Sequence, residues 1–532
     1  MSDFDFIVVG AGSSGAIVAS RLAAGGKFSV LLVEAGPRDT NPWIHVPIGF
    51  AKTIADKRVN WAYMTEPQAE LHGRQIYWPR GKVVGGTGAI NGLVYVRGQR
   101  SDFDEWANLG CHGWDWANVL PHFRAVEHHH LGRTELHGDD GPVWVSRPPG
   151  RSPLIEAVID SGVAWGLRRN EDFNGETQEG VGYYDVTIRH GRRSNSAIGA
   201  LPAMERQGNL RVEVNALVSR VLLEDGRATG VEYLRHDGSS ARAHAKREVI
   251  LCGGVVNTPQ LLMLSGIGDG ERLGKLGIRS VVDRPTVGQN LQDHMTVRVV
   301  TEINQPISLN DRLGSPWGKL LAGLEYVFLR TGPLTTSGSQ AGIFFKSSDG
   351  SMHPDTQAFI APYSAEKLGE PLHKFSAFSS IVTQSWPESR GYVSLRDADP
   401  RTPPEVQPQY LSASGDRSFF VNAVRQIRRL HQMEPLSSLI KHEHKPGKSV
   451  ETDEEILDFI RRTAGTVYHP CGTCRMGSDA EAVVDPDLKV RGVKALRIAD
   501  ASVMPRIVSG NINAACLMIG EMAAQKILAA TA

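Results

Sequence analysis

His469-Pro470-Cys471-Gly472-Thr473 and Asn511 carry the side chains best suited to proton chemistry near neutral pH in this chain. An imidazole titrates near neutrality and can take a proton from a hydroxyl. A carboxamide cannot act as a base there, but it can hydrogen-bond a substrate oxygen. At the other end, Gly10-x-Gly12-x-x-Gly15 follows the apolar run 4–9, and Glu34 closes the next apolar run. The first glycine permits a tight turn. The second lets backbone approach a pyrophosphate, and the third lets a helix pack closely on a strand. Glu34 can accept both hydroxyls of a ribose. A dinucleotide cradle and a base in one chain point to redox chemistry on a bound cofactor. No second fingerprint of this kind occurs, so one dinucleotide is expected, FAD or NAD but not both.

The elements that must position these groups are legible in part. Phe4 to Val9 reads as a strand, Ser13 to Ala24 as a helix with Ile17, Val18 and Leu22 on one face, and Phe28 to Val33 as the next strand. Glu248 to Cys252 is a further strand, followed by a helix through Pro259 to Leu264. Leu496 to Ala499 is another, ending at Asp500 before a final helix, Ile512 to Leu528. Residues 209–235 alternate apolar and polar around Asp225-Gly226 and read as a β-hairpin. The fold class is therefore α/β (α+β overall), with the nucleotide domain assembled from distant segments: 1–150, 206–299 and 466–532. Residues 151–205 and 300–465, richer in proline, aromatics and irregular stretches, form a substrate-binding domain.

Composition excludes several classes. Lys+Arg and Asp+Glu are both 58, so no net charge draws the protein to nucleic acid. No apolar run reaches the roughly 18 residues of a membrane span. The start lacks the basic and apolar regions of a secretory signal. Five cysteines fit a reducing compartment without a disulfide framework, so the expected location is cytoplasmic. Cys471-x-x-Cys474 has the spacing of a redox or zinc half-site, but no second ligand pair completes it, and no metal is expected. The two read as small side chains packed beside His469. The basic cluster Arg189 to Arg193 reads as a solvated loop, and His128-His129-His130 as solvated too. Ser14 and Thr87 lack a nucleophile elbow and read as turn or cofactor-contact residues.

One more cluster decides between the cofactors. Gly81-Lys82-Val83-Val84-Gly85-Gly86-Thr87-Gly88-Ala89-Ile90-Asn91 lets backbone approach a flat ring and a phosphate. With Gly254 through Thr258-Pro259 to Ser265-Gly266-Ile267-Gly268, with Val287 to His294, and with the His469 segment, it resembles the glucose–methanol–choline (GMC) oxidoreductases over nearly the whole chain. Val255 departs from the second signature, where a smaller residue is usual. The nearest resemblance is to bacterial choline-dehydrogenase-like and sorbose-dehydrogenase-like enzymes of that family.

The resemblance implies a Rossmann-like FAD-binding domain and a substrate domain built on an antiparallel sheet with helices. It assigns Gly10, Gly12, Gly15 and Glu34 to the ADP half, Val218 to adenine, Gly86 and Asn91 to the flavin side, and Asp500 and Ala501 to the pyrophosphate and flavin. Ile90 stands where some relatives carry a histidine bonded to the flavin, so FAD is expected to be non-covalent. His469 is the implied base and Asn511 its hydrogen-bonding partner, with flavin N5 accepting the hydride. The expected reaction is oxidation of a primary, neutral alcohol to the aldehyde, with electrons passed to a quinone or dye-like acceptor. An oxidase using O2, a choline or sorbose dehydrogenase and a hydroxynitrile lyase stand as alternatives. The segment 332–345 offers Gln340, Phe344 and Phe345 but no acid, which favours a neutral substrate over choline. Trp61, Tyr63, Tyr363 and Trp386 are candidate pocket walls. His45 and His294 are given no chemistry.

Overall fold

The structure is a computed structural model and describes residues 2–148, 150–348, 350–367 and 369–531. Strand β1 (Ser2–Val9) leads into helix α1 (Ser13–Ala23) and returns as β2 (Val30–Val33). Phe6 to Val9 and Val30 to Val33 are buried on both faces, the pattern of strands inside a parallel sheet. The sheet has seven strands. They are completed by β3 (Leu210–Glu213), β4 (Leu217–Glu224), β5 (Arg227–Leu234), β6 (Ser240–Leu251) and β7 (Leu496–Ile498). The order is β3-β2-β1-β6-β5-β4, with β7 beside β6. Contacts among β3, β2, β1, β6 and β7 are parallel, and β4-β5-β6 is an antiparallel extension.

One sequence expectation is corrected here. Residues 209–235 do not form a single hairpin. Only β4 and β5 do, turning at Asp225-Gly226, while β3 adds in parallel to the edge of β2. Alternation of apolar and polar residues identifies a strand but not its partner.

Residue 10 must be glycine. Its φ is +100°, and a Cβ there would lie 2.4 Å from the Cys252 carbonyl oxygen. A Cβ on Gly15 would meet the Gly10 oxygen at 1.9 Å, so α1 sits directly on the strand tip. The last helix, Asn513–Thr531, packs against α1 and the helix Trp116–Val126. It has the length and composition of a membrane span, but most of it is buried in this core.

The second large sheet is antiparallel throughout. Its main path runs 440–445, 295–303, 377–384, 356–361, 341–345, 180–183, with 465–466 beside 295–296. The strand Met295–Ile303 runs without a break through residue 299. Helices Ser414–His431 and Asp453–Thr463 cover one face and bury Phe420, Ile427, Leu430, Ile456 and Ile460 against it.

Two segments expected to be solvated are so only in part. His129 is buried, its Nε2 3.3 Å from Asp185, and its ring stacks on His137. His128 stacks on Trp144 at 3.7 Å. Arg189 and Arg192 are exposed in a two-residue hairpin, but Arg193 is buried. Charge alone hides this, because a buried arginine needs only carbonyl partners to be held.

Candidate active site

One cavity runs from the β1 and β2 tips to the second sheet. Its lining includes Gly10, Gly12, Glu34, Gly86, Ile90, Asn91, Val218, Asp500, Ala501, His469 and Asn511. Gly15 lies beneath it, at the α1–strand contact. Ser14 and Thr87 also line it, as do Trp61 and Tyr363. Tyr63 and Trp386 have other partners: Asn257 donates to the Tyr63 hydroxyl at 2.7 Å, and the Trp386 indole donates to Asp102 at 2.8 Å.

The nucleotide end is built from backbone. Glu34 accepts hydrogen bonds from the N–H groups of Ala11 (2.9 Å) and Gly36 (2.8 Å). Burial nonetheless pushes its carboxyl up to about 7. Gly86 takes φ +53°, and a Cβ on it would come within 2.7 Å of the Gly12 Cα. The two glycine turns therefore meet, leaving their backbone toward the cavity. Asp500 accepts from the Gly254 N–H (2.9 Å), the Thr258 hydroxyl (2.6 Å) and the Ser502 N–H (2.8 Å). It ties the tail to helix α2 (Gly254–Leu264) at the cavity wall. A glycine cradle, a ribose-facing carboxylate and a slot passing Asn91 toward His469 fit FAD.

Asn91 is held by a residue that composition concealed. Arg193 donates to the Asn91 side-chain oxygen (2.7 Å), the Asn91 carbonyl (2.8 Å), the Ile44 carbonyl (2.8 Å) and the Gly88 carbonyl (3.3 Å). It forms no ion pair among the described residues. Burial pulls its guanidinium down to about 9, so it stays charged at neutral pH.

His469 is fixed from two directions. Its backbone N–H donates to Asp293 Oδ1 at 2.8 Å. Asp293 also accepts from the hydroxyls of Thr466 and Tyr410. The preceding residue, Tyr468, sits at φ +64°, a left-handed conformation that a tyrosine adopts at a cost. Its N–H donates to the Thr466 hydroxyl at 2.7 Å.

The imidazole itself belongs to a chain of hydrogen bonds that fixes its tautomer. The Ser385 carbonyl can only accept, so His294 Nε2, 3.0 Å away, carries the hydrogen. Burial holds His294 neutral, lowering it to about 4, so its Nδ1 accepts. His469 Nδ1, 3.0 Å from that atom, must donate. The lone pair of His469 Nε2 is then free to face Asn511 Nδ2 at 3.0 Å. Gln357 donates to Asn511 Oδ1 at 3.3 Å, which sets the amide with its nitrogen toward His469. Burial, helped by His294 and Arg80, lowers His469 well below the usual histidine range.

Sequence reasoning found His469 and Asn511 but gave His294 no role, and it passed over Asp293. Both stand in Val287 to His294, a segment already singled out, and their adjacency in Asp293-His294 was the available signal. The pair Cys471 and Cys474 is buried, and burial pushes both thiols well above their usual range. Neither is among the described groups whose atoms converge as metal ligands.

A dinucleotide cradle joined by one cavity to a neutral imidazole and an amide defines a flavin-dinucleotide oxidoreductase. The chain belongs to the GMC oxidoreductase family, whose N-terminal domain matches residues 4–296 and whose C-terminal domain matches 387–520. It is an FAD-dependent enzyme of the alcohol-oxidising class. It is 43% identical to mitochondrial choline dehydrogenase of Mus musculus, over 99% of this chain and 89% of that protein. It is 39% identical to an alcohol dehydrogenase [acceptor] of Pseudomonas putida, over 99% and 96%. Among solved structures, pyridoxine 4-oxidase from Mesorbium loti superposes with a TM-score of 0.89 at 31% identity, covering 98% of both chains.

Proposed function

We propose that the enzyme oxidises a primary, uncharged alcohol to its aldehyde, with His469 as the base. The observation that carries this reading is the pair His469 Nε2 and Asn511 Nδ2, 3.0 Å apart on the cavity wall. One atom accepts and the other donates. A substrate hydroxyl entering between them gives its hydrogen to Nε2 and accepts from the amide. Proton transfer to His469 then leaves an alkoxide held by Asn511. Bound FAD supplies the acceptor for the carbinol hydride.

The substrate part of the cavity supports an uncharged alcohol over choline. The described carboxylates that line the cavity are Glu34 and Asp500, both engaged at the nucleotide end. Arg298 lines the other end, and its one described hydrogen bond is to the Ala365 carbonyl at 3.3 Å. A quaternary ammonium there would meet a cation and no acid.

FAD is held without a covalent bond in this reading, because Ile90 offers no linking atom. Segments 1–150, 206–299 and 466–532 form the cofactor domain, and 151–205 with 300–465 the substrate domain, except that 295–299 and 466 belong with the second sheet. In this reading electrons leave to a quinone or dye-like acceptor rather than to O2; one relative is named an alcohol dehydrogenase [acceptor] and others oxygen-dependent choline dehydrogenases. Five unpaired cysteines support a cytoplasmic setting.

The test is anaerobic mixing with a panel of alcohols while flavin absorbance is followed, then reoxidation by air or by a quinone. Primary neutral alcohols should bleach the flavin, and a quinone should restore it faster. If no alcohol bleaches it, the proposal fails.

A further inference from the structure

The helix Pro316–Leu329 is turned inside out. Its described buried residues are Ala322 and Tyr326 alone. Trp317 (74% exposed), Leu320, Leu321, Leu324, Val327, Phe328 (77%) and Leu329 all stand in solvent. Positions 317, 320, 321, 324 and 328 recur at helical spacing, so they form one continuous apolar stripe on the outer face. Isolated exposed apolar residues need no explanation, but a contiguous stripe of this kind marks an interaction surface.

The rim of the stripe is basic. Lys319 and Arg330 are exposed at either end of it. The tip of the 188–193 hairpin packs on the helix C-terminus, where a Cβ on Gly191 would meet the Arg330 carbonyl oxygen at 2.4 Å. That contact sets the hairpin at the helix C-terminus, with Arg192 exposed and the exposed Arg189 stacked over Trp144 at 4.4 Å. The helix carries one acid, Glu325, already paired with Arg312 at 3.3 Å. Lys319, Arg330, Arg189 and Arg192 form no ion pair among the described residues. The helix leads through the turn Pro333–Thr335 to Gly338 and Ser339, which line the cavity, and that turn packs on the segment 47–49 just before the lining residue Phe50.

We propose that this helix lies flat in the surface of an anionic lipid bilayer and holds the cavity rim against it. Fourteen residues extend about 21 Å as a helix, short of the roughly 30 Å hydrocarbon core, so the helix does not span. An apolar face carrying Trp, Phe and Leu between cationic flanks is the pattern of an interfacial helix, and the flanks supply attraction to acidic headgroups. A second copy of the chain fits less well. A two-fold contact through this face would bring the basic rims of both copies together. The docking does not depend on the substrate assigned above.

The test uses the FAD-loaded enzyme and sedimentation with vesicles of mixed phosphatidylcholine and phosphatidylglycerol, or of phosphatidylcholine alone. The enzyme should co-sediment with the anionic vesicles, and less so as salt is raised. Leu321→Glu with Phe328→Glu should weaken that binding at least ~10-fold while flavin absorbance and turnover with a soluble dye acceptor persist. Arg189→Gln with Arg192→Gln should reduce binding to anionic vesicles and flatten the salt dependence. An enzyme that stays in the supernatant with both vesicle types overturns the proposal. So does a dimer that the two glutamates convert to monomer with no lipid binding in the parent.

Discussion

The Nδ1 atoms of His294 and His469 face each other at 3.0 Å, and only one of them can carry the hydrogen. The Ser385 carbonyl decides which, by taking the hydrogen of His294 Nε2. His294 is thus a positioning residue that hands His469 the tautomer with a free Nε2. His469→Ala should lower kcat/KM by about 10²–10⁴, the usual worth of a general base. His294→Phe removes the acceptor while keeping bulk. It should lower kcat more than it raises KM, leave flavin content intact, and act through His469 alone. Combining it with His469→Ala should then add little, because the two serve one step. Fully additive losses in that double variant would show that His294 works independently.

The same site fixes the pH response. As the proposed base, His469 would act when neutral, and burial keeps it neutral below the ordinary histidine range. Activity is therefore present above its lowered pKa and lost as pH falls through it. The rate of flavin reduction should stay level through about pH 6.5, where an unperturbed histidine would titrate, and fall only at more acid pH. Stopped-flow reduction across pH with a non-ionising alcohol measures this. An acid limb centred in the ordinary range would mean that the base is not the buried imidazole.

Much of this was readable in the chain because it is local. Gly10, Gly12, Gly15 and Glu34 act through one strand–turn–helix–strand unit, so their spacing carries their geometry. His469 and Asn511 lie 42 residues apart, and only the motif around each marked them. What stayed hidden depends on distant contacts. His294 reaches His469 because residues 465–466 pair with 295–296. Arg193 looks like one more charge in a basic run until residues 44, 88 and 91 close over it. The strand Leu210–Glu213 has the same alternation as the hairpin that follows it in sequence, and only the edge of β2 selects its partner.

Glu34 couples cofactor binding to pH. Its carboxyl is raised to about 7 by burial, and the ionised form is the one that accepts ribose hydroxyls. FAD affinity of the apoprotein should therefore increase as pH rises through about 7. Apoprotein stability should move the other way. The folded apoprotein retains a proton that the unfolded chain releases near 4.5, so stability falls as pH rises from about 4.5 toward 7. Glu34→Gln should flatten both trends. Flavin titration and thermal unfolding of apoprotein across that window measure them. A stability that climbs over the same interval in step with Glu34 ionisation would contradict the assignment.

Arg193 should matter for flavin retention although no motif names it. Removing it strands the carbonyls of Ile44, Gly88 and Asn91 and leaves the Asn91 side-chain oxygen only the Leu93 N–H at 3.2 Å. Each buried acceptor left without a partner costs about 1–3 kcal/mol. Arg193→Met should give protein with a lower melting temperature and substoichiometric flavin. Arg193→Lys, which can satisfy fewer of the acceptors, should fall between. Full flavin occupancy with an unchanged melting temperature in Arg193→Met would remove Asn91 positioning from its role.

Arg298 should set the enzyme against cationic alcohols despite its resemblance to choline dehydrogenases. It projects from the strand Met295–Ile303 into the cavity, on the same face as Thr296. Its charge is felt by Tyr363 and Tyr468 on the cavity wall, where it opposes the upward push of burial on both phenols. A quaternary ammonium about 6 Å from this guanidinium would be repelled by on the order of 3 kcal/mol at an effective dielectric near 20. That corresponds to ~100-fold in kcat/KM. Choline should therefore be oxidised about two orders of magnitude less efficiently than its neutral tert-butyl isostere. Arg298→Gln should narrow the gap by raising turnover of choline while leaving the isostere nearly unchanged, and Arg298→Glu should invert the preference. Steady-state kinetics of the two alcohols with a dye acceptor provide the comparison. Equal efficiency in the parent enzyme would place the ammonium out of reach of Arg298 and return choline to the list of substrates.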